Sequence, residues 1–325
     1  MPHIRERLAS TGISNRTSEI IVASWRSKTQ KQYASYLRRW DSFCSQHGIN
    51  PIKPTIGNAL QFLTDLFDGG LSYSSVNSAR SAISSIILPI DGVTFGSHAL
   101  TTRFMKGVFN CRPSFPRYKT IWDVGVLLNF LKSLGSTNEL SLKLLSKKVV
   151  TLLALVTAQR IQTLHLICID DVLISDKECH LRIGSLLKQS RPGVHQADLV
   201  LPIFSENPDL CIVTNLSEYI KRTSIVRGEE KVLFISFQKP FKALSRDSIS
   251  RWIKDMLKSA GIDTSVFTAH SVRSASTSAA ATAGVPIQLI LQTAGWSGAQ
   301  TFAKFYNKPI IEKPAFSTSV LNKNR

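Results

Sequence analysis

At 325 residues, with 43% hydrophobic side chains and a mean hydropathy of +0.02, the chain has the composition of a globular protein long enough for two domains, which excludes disordered and fibrous classes. Forty lysines and arginines against 22 acidic residues give a net charge of +18, the electrostatic footprint of a polyanion binder. No apolar run approaches the ~18 residues that span a bilayer, and the polar start Met1-Pro-His-Ile-Arg-Glu-Arg7 is no signal peptide, so the protein is expected inside the cell.

The charge excess lies in both halves: residues 1–117 carry 14 basic and 6 acidic side chains, the remainder 26 and 16. Both halves would then meet the polyanion. No basic amphipathic helix with a Trp/Phe/Leu face is evident, which favours nucleic acid over a membrane surface. Five cysteines without C-x-x-C or Cys/His ligand spacing argue against a disulfide framework and a zinc site.

Residues 1–23 are polar and weakly patterned and read as a flexible lead-in. A first helix starts at Ser27, where Ser27-Lys-Thr-Gln30 fits a capping box, and Tyr33, Tyr36, Leu37, Trp40, Phe43 and Cys44 form its inward face before Gly48. Lys28, Lys31, Arg38 and Arg39 lie on or beside the opposite face and suit backbone phosphates, although a solvated basic face is the commoner meaning of such a pattern. Helices over about 55–67 and 72–88 follow, the latter with a serine-rich outer face that would let it approach DNA closely. A fourth, about 98–110, carries Arg103 and Lys106. Arg112-Pro-Ser-Phe-Pro-Arg-Tyr-Lys-Thr120, with two X-Pro steps and three cations, reads as an extended linker.

Beyond it, Asp123 caps a helix, and a second helix from about Leu140 to Ala158 is apolar nearly all round, the expected centre of a domain. It ends at Arg160. A cation there is expensive unless paired, whether functionally or with Asp170 or Asp171. Val172–Ser175, Cys179–Ile183 and Ser185–Gln189 read as a small meander, with Leu199–Leu201 returning later. Lys188 sits beside the turn Ser190-Arg-Pro-Gly193, where a lysine is usually solvated but could reach into a groove. Asn207-Pro208 opens a helix to about Arg222, and Leu233-Phe-Ile235 reads as a short buried strand. Ser245 caps a helix striped by Ile249, Trp252, Ile253, Met256 and Leu257, with Arg246 and Arg251 among the cations opposite. A helix from about His270 to Gly284 has an alanine-lined interior, one from Pro286 ends at Gly295, and a last helix of about 299–307 carries Tyr306.

His270-Ser-Val-Arg273, Trp296 and Tyr306 could converge on one phosphate. Each alone is common: a lone His is usually a satisfied partner, and a Tyr in Phe-Ala-Lys-Phe-Tyr is usually a half-buried ring. With Arg160 and Lys188 upstream, however, the ordered set resembles the catalytic residues of the tyrosine recombinases, the phage-integrase-like family. The resemblance runs from about Ser24 to Pro309. It implies a mainly α fold with a small antiparallel β-meander: an N-terminal helical (SAM-like) core-binding domain and an integrase-like α+β catalytic domain. The corresponding layout is lead-in 1–23, core-binding domain 24–111, linker 112–120, catalytic domain 121–309 and tail 310–325. Thr157-Ala-Gln-Arg-Ile-Gln-Thr163, Lys188-Gln-Ser-Arg-Pro-Gly193 and Thr301–Pro309 look, more narrowly, like recombinases of DIRS-type retrotransposons. Thr163 stands where many family members have a carboxylate, and Trp296 where His is commoner.

Two guanidiniums, Arg160 and Arg273, would offset charge on a phosphodiester in the transition state. A free tyrosine, with a pKa near ~10, is mostly protonated at neutral pH, so attack by Tyr306 needs a base, for which His270 is the candidate. Trp296 can donate its indole N–H. The resemblance gives Lys188 the protonation of the departing 5′-oxygen. It implies site-specific cleavage and rejoining of double-stranded DNA through a 3′-phosphotyrosyl link, for integration or recombination of mobile DNA. No ATP, metal or small-molecule cofactor is implied, and the working assembly would be a homotetramer on DNA, in the nucleus of a eukaryotic host. The tail, with Phe316, Val320 and Leu321, would dock onto a neighbour. A catalytically silent DNA-binding descendant of a mobile element and a type IB topoisomerase-like enzyme are the alternatives.

Overall fold

Apolar residues at helical spacing dominate the chain, and helices dominate the computed structural model, which describes residues 2–113, 115, 118–187, 190, 192–193, 198–296 and 298–308. The chain divides into two compact units, Met1–Pro116 and Arg117–Arg325. Among the described residues no helix is long and apolar enough to cross a membrane.

In the first unit the segment expected to be a flexible lead-in is instead helical: α1 (Pro2–Ser10) and α2 (Asn15–Ala23) pack on one another. Ile4 and Val22 are buried in the unit's core, and Arg7 donates to the carbonyl of Ser85, so a few anchors hold an otherwise polar stretch. α3 (Ser27–His47) buries Leu37, Trp40, Phe43 and Cys44 and ends at Gly48 with φ +63°. The expected capping box is absent. Arg26 is the N-cap, and the longer Gln30 side chain reaches past it to the carbonyls of Trp25 and Val22.

A true capping box, Thr55 with Asn58, opens α4 (Ile56–Asp68). Its Phe62 completes an aromatic cluster with Trp40 and Phe43, the Trp40 and Phe62 rings meeting edge-on at 5.1 Å. α5 (Tyr73–Ser84) stops about a turn earlier than its apolar stripe suggests. Ser85 turns its hydroxyl back to Ala82, and Ser84 accepts from the Gly96 amide, so two serines divert the chain while Ile86 and Ile87 still reach the core. α6 (Ala99–Cys111) closes the unit, capped by the ring Nδ1 of His98.

In the second unit Asp123 caps α7 (Val124–Ser133), and Ser141 caps α8 (Leu142–Thr157). α8 is buried along eleven of its residues and packs against α10 (Ile212–Ser224), α11 (Arg246–Ser259) and α12 (Ser271–Thr282), the central position its all-round apolarity requires. A short helix, α9 (Ile161–Leu166), follows directly after Arg160. Strands β1 (Val172–Ile174), β2 (Glu178–Leu181) and β3 (Leu199–Pro202) form an antiparallel sheet in that order, with His180 opposite Leu173 on one side and Val200 on the other. The expected third run is not a strand over residues 185–187; Leu199–Pro202 takes that place.

α10 begins four residues after Asn207-Pro208, because Asn207 caps a turn of its own at Leu210. The expected strand at Leu233–Ile235 is reduced to isolated bridges. α11 buries the five stripe residues named from the sequence. α12, α13 (Ile287–Ala294, ending at Gly295 with φ +64°) and α14 (Ala299–Phe305) complete the unit. The expected tail, 310–325, lies outside the described residues.

Candidate active site

Arg273 is the centre of the site. Its side chain is 2% exposed, and no ion pair with a carboxylate accompanies it among the described residues. Instead Nη1 donates to the carbonyl of Ala158 and Nη2 to that of Ala294, both at 2.6 Å. Ala158 is the C-cap of α8 and Ala294 the last residue of α13. Helix ends carry unpaired carbonyls and the negative end of the helix dipole, so a cation lodged between two of them is compensated without a carboxylate. Burial, and then repulsion from Arg160, push the Arg273 pKa down from the ordinary guanidinium range to about 10, with Tyr306 opposing the shift; the group stays protonated at neutral pH.

The backbone at Ala158 is left-handed, with φ +48°, and this bend places Arg160 between α8 and α9 rather than at the end of one continuous helix. Gln159 ties the bend to α13, its amide donating to the Thr293 carbonyl at 2.6 Å. Arg160 is half-buried and near enough to Arg273 for the two charges to repel.

Tyr306 follows α14 as its C-cap rather than lying within it. Its hydroxyl is 3.1 Å from Nε2 of the exposed His270, and the two rings meet edge-on at 6.0 Å. With the ring proton on Nδ1, Nε2 accepts the phenol proton. Trp296 lies between the parts of the site: its ring is 4.3 Å from the Arg273 guanidinium carbon and 4.5 Å from the Tyr306 ring. The Trp296 indole N–H and the Arg273 Nε–H are both buried without a hydrogen-bond partner among the described residues.

His270, Arg273, Trp296 and Tyr306 are thus gathered in one place, with Arg160 beside them, while Lys188 lies outside the described residues. Of the cations read as DNA contacts, Lys28, Lys31, Arg38, Arg39, Arg103, Lys106, Arg246 and Arg251 are all exposed. Lys106 also lines a cleft of about 320 Å³ with Arg80, Tyr73, Thr102, Met105 and Phe109. The sequence reading missed the partners that hold the site: the carbonyls of Ala158 and Ala294, the Gln159 amide, and the serines of α12. Ser271 accepts from the Trp122 indole at 2.9 Å, and Ser276 donates to the Leu155 carbonyl. Among the described residues no group of three or more His, Cys, Asp or Glu side chains could hold a metal ion.

A fold of this kind has solved counterparts. The fold is similar to that of the XerH site-specific recombinase in its post-cleavage complex with palindromic difH substrate, at 14% identity and TM-score 0.61 over 91% of this chain and 80% of that one. It is also similar to a lambda integrase dimer bound to a COC′ core site, at 19% identity and TM-score 0.51 over 91% and 76%. The Tn1549 transposon integrase in complex with transposon right-end DNA gives 15% and 0.50 over 82% and 84%. No curated protein matches the chain in sequence. The model of the phage integrase family matches residues 123–310, and the chain belongs to that family.

Proposed function

We propose that the protein cleaves and rejoins double-stranded DNA at specific sites through Tyr306, in the service of a mobile element. The observation that carries this reading is the Tyr306 hydroxyl at 3.1 Å from His270 beside the buried cation of Arg273. Tyr306 attacks the phosphorus as His270 takes its proton. Arg160 and Arg273 offset the charge that develops on the nonbridging oxygens, and the N–H groups of Trp296 and Arg273 that lack a partner among the described residues are donors suited to the same anion. Lys188 protonates the departing 5′-oxygen. The 3′-phosphotyrosyl link keeps the bond energy of the phosphodiester, so a new 5′-hydroxyl can reseal the strand.

The exposed cations of both units supply salt-dependent affinity for the duplex backbone. Solved relatives in fold include a lambda integrase tetramer bound to a Holliday junction, which supports a tetrameric assembly here. The Tn1549 integrase supports a mobile-element setting, and the motifs around Arg160, Lys188 and Tyr306 favour a DIRS-type retrotransposon within it. A reverse transcriptase reading frame in the flanking DNA is the expected sign of that origin.

The target sequence can be selected from a library of gapped duplexes with randomised cores, by sequencing the DNA in denaturant-stable protein adducts. Rebuilt as a nicked suicide duplex, it should give a covalent adduct with the unaltered protein and none with Tyr306→Phe. Binding without any adduct would make the protein a DNA-binding module.

A further inference from the structure

Two buried side chains beside the site have no part in the chemistry above. Ser274 and Ser278, each 1% exposed, lie one turn apart on α12. Serine and threonine inside a helix usually bond back to a carbonyl of their own helix, as Thr277 does to Arg273 and Thr282 to Ser278. Ser274 and Ser278 instead donate to a single distant acceptor, the main-chain carbonyl of Tyr306, at 3.2 and 2.7 Å. Ser278 Oγ also accepts from the Lys308 amide at 3.1 Å, so the chain is gripped on both sides of Asn307. Further out, the Lys308 ammonium donates to the Tyr118 carbonyl at 2.7 Å.

The grip falls where α14 has ended, at φ −124° and ψ −24°, so the Tyr306 carbonyl no longer belongs to a helical ladder. A hydroxyl on a serine has short reach, and two of them from one helix fix the carbonyl against that helix. The same helix carries Arg273 and begins next to His270.

We propose that Ser274 and Ser278 are positioning residues that hold Tyr306 by its main chain, so that its hydroxyl meets His270. The proposal rests on the cleavage reading above. Both serines are buried and bond the Tyr306 carbonyl rather than its phenol, so each acts through the placement of Tyr306.

The test uses the selected suicide duplex, with the rate of adduct formation, duplex affinity and thermal melting measured on the full chain. Ser274→Ala/Ser278→Ala should form adduct on the order of 100-fold more slowly with affinity unchanged, the scale of loss that follows small misplacement of a reacting group. The second readout is a double-mutant cycle with His270→Gln. If the clamp works by bringing Tyr306 to His270, that substitution slows the unaltered chain strongly and the clampless chain hardly at all. A full His270→Gln penalty in the clampless chain overturns the proposal, as does an adduct rate equal to that of the unaltered chain. Should the double variant melt early, Ser278→Ala alone, which keeps the Ser274 bond, carries the same comparison; an unchanged rate there also overturns it. Absence of adduct from the unaltered protein would instead overturn the cleavage reading, and the positioning role with it.

Discussion

α5 and α12 are both serine-rich helices of 12 residues, yet their hydroxyls go to different places. On α5, Ser72, Ser74 and Ser75 bond among themselves at the N-terminus, and Ser78 and Ser81 bond back to Ser74 and Asn77. On α12, Ser271, Ser274, Ser276 and Ser278 reach Trp122, Leu155 and Tyr306, all outside the helix. Burial explains most of the contrast, since Ser271, Ser274 and Ser278 are buried and no serine of α5 is. Beside water a hydroxyl is satisfied locally at little cost, whereas in a dry interior an unpaired one costs about 1–3 kcal/mol, so packing selects arrangements in which it braces a neighbour. The same residue type therefore leaves one helix a smooth outer face and makes the other a crossbar.

Substitutions that test this contrast should differ widely in size. Arg273→Ala, on the crossbar, strands the buried carbonyls of Ala158 and Ala294, a loss on the order of 3 kcal/mol that urea denaturation would register, and adduct formation should vanish with it. A variant as stable as the unaltered chain would mean that these helix ends do not depend on the cation. Ser271→Ala removes the acceptor of the Trp122 indole and should cost about 1–3 kcal/mol in the same measurement, with no change in the denaturant slope. Ser74→Glu, on the exposed start of α5, should change stability by less than about 0.5 kcal/mol, since a carboxylate suits a helix N-terminus. Its effect should fall on duplex affinity, which is expected to weaken when titrated at fixed salt, because the added charge faces the phosphates. If Ser74→Glu binds DNA as well as the unaltered chain, the outer face of α5 is not a DNA surface.

What could be read from the sequence follows the same division. The stripe of α11 and the all-round apolarity of α8 were legible because hydrophobic period reports directly on burial, and those residues are buried. α1 and α2 were not, since anchors as sparse as Ile4 and Val22 set no period in a polar stretch. Ser27-x-x-Gln30 misled because the pattern fits a capping box, but Gln30 finds the carbonyls of Val22 and Trp25, which only the presence of α2 supplies. At the site, Arg160, His270, Arg273, Trp296 and Tyr306 stood out in the sequence only as an ordered set with a family resemblance, and the structure brings His270, Arg273, Trp296 and Tyr306 together. Its supports are main-chain carbonyls and plain serines, which have no signature in a sequence. The bend at Ala158 was equally hidden, because alanine gives no hint of positive φ.

The placement of Arg273 between two helix ends also separates the marks of catalysis from the marks of folding. A cation that joins the ends of α8 and α13 has a part in folding that does not depend on any part in chemistry. His270, exposed at the start of α12, is under no such obligation. If the proposed cleavage is the chain's function, a lineage that gave it up is expected to keep the arginine longer than the imidazole and the phenol, so positions 270 and 306 would tell more about a relative's activity than position 273.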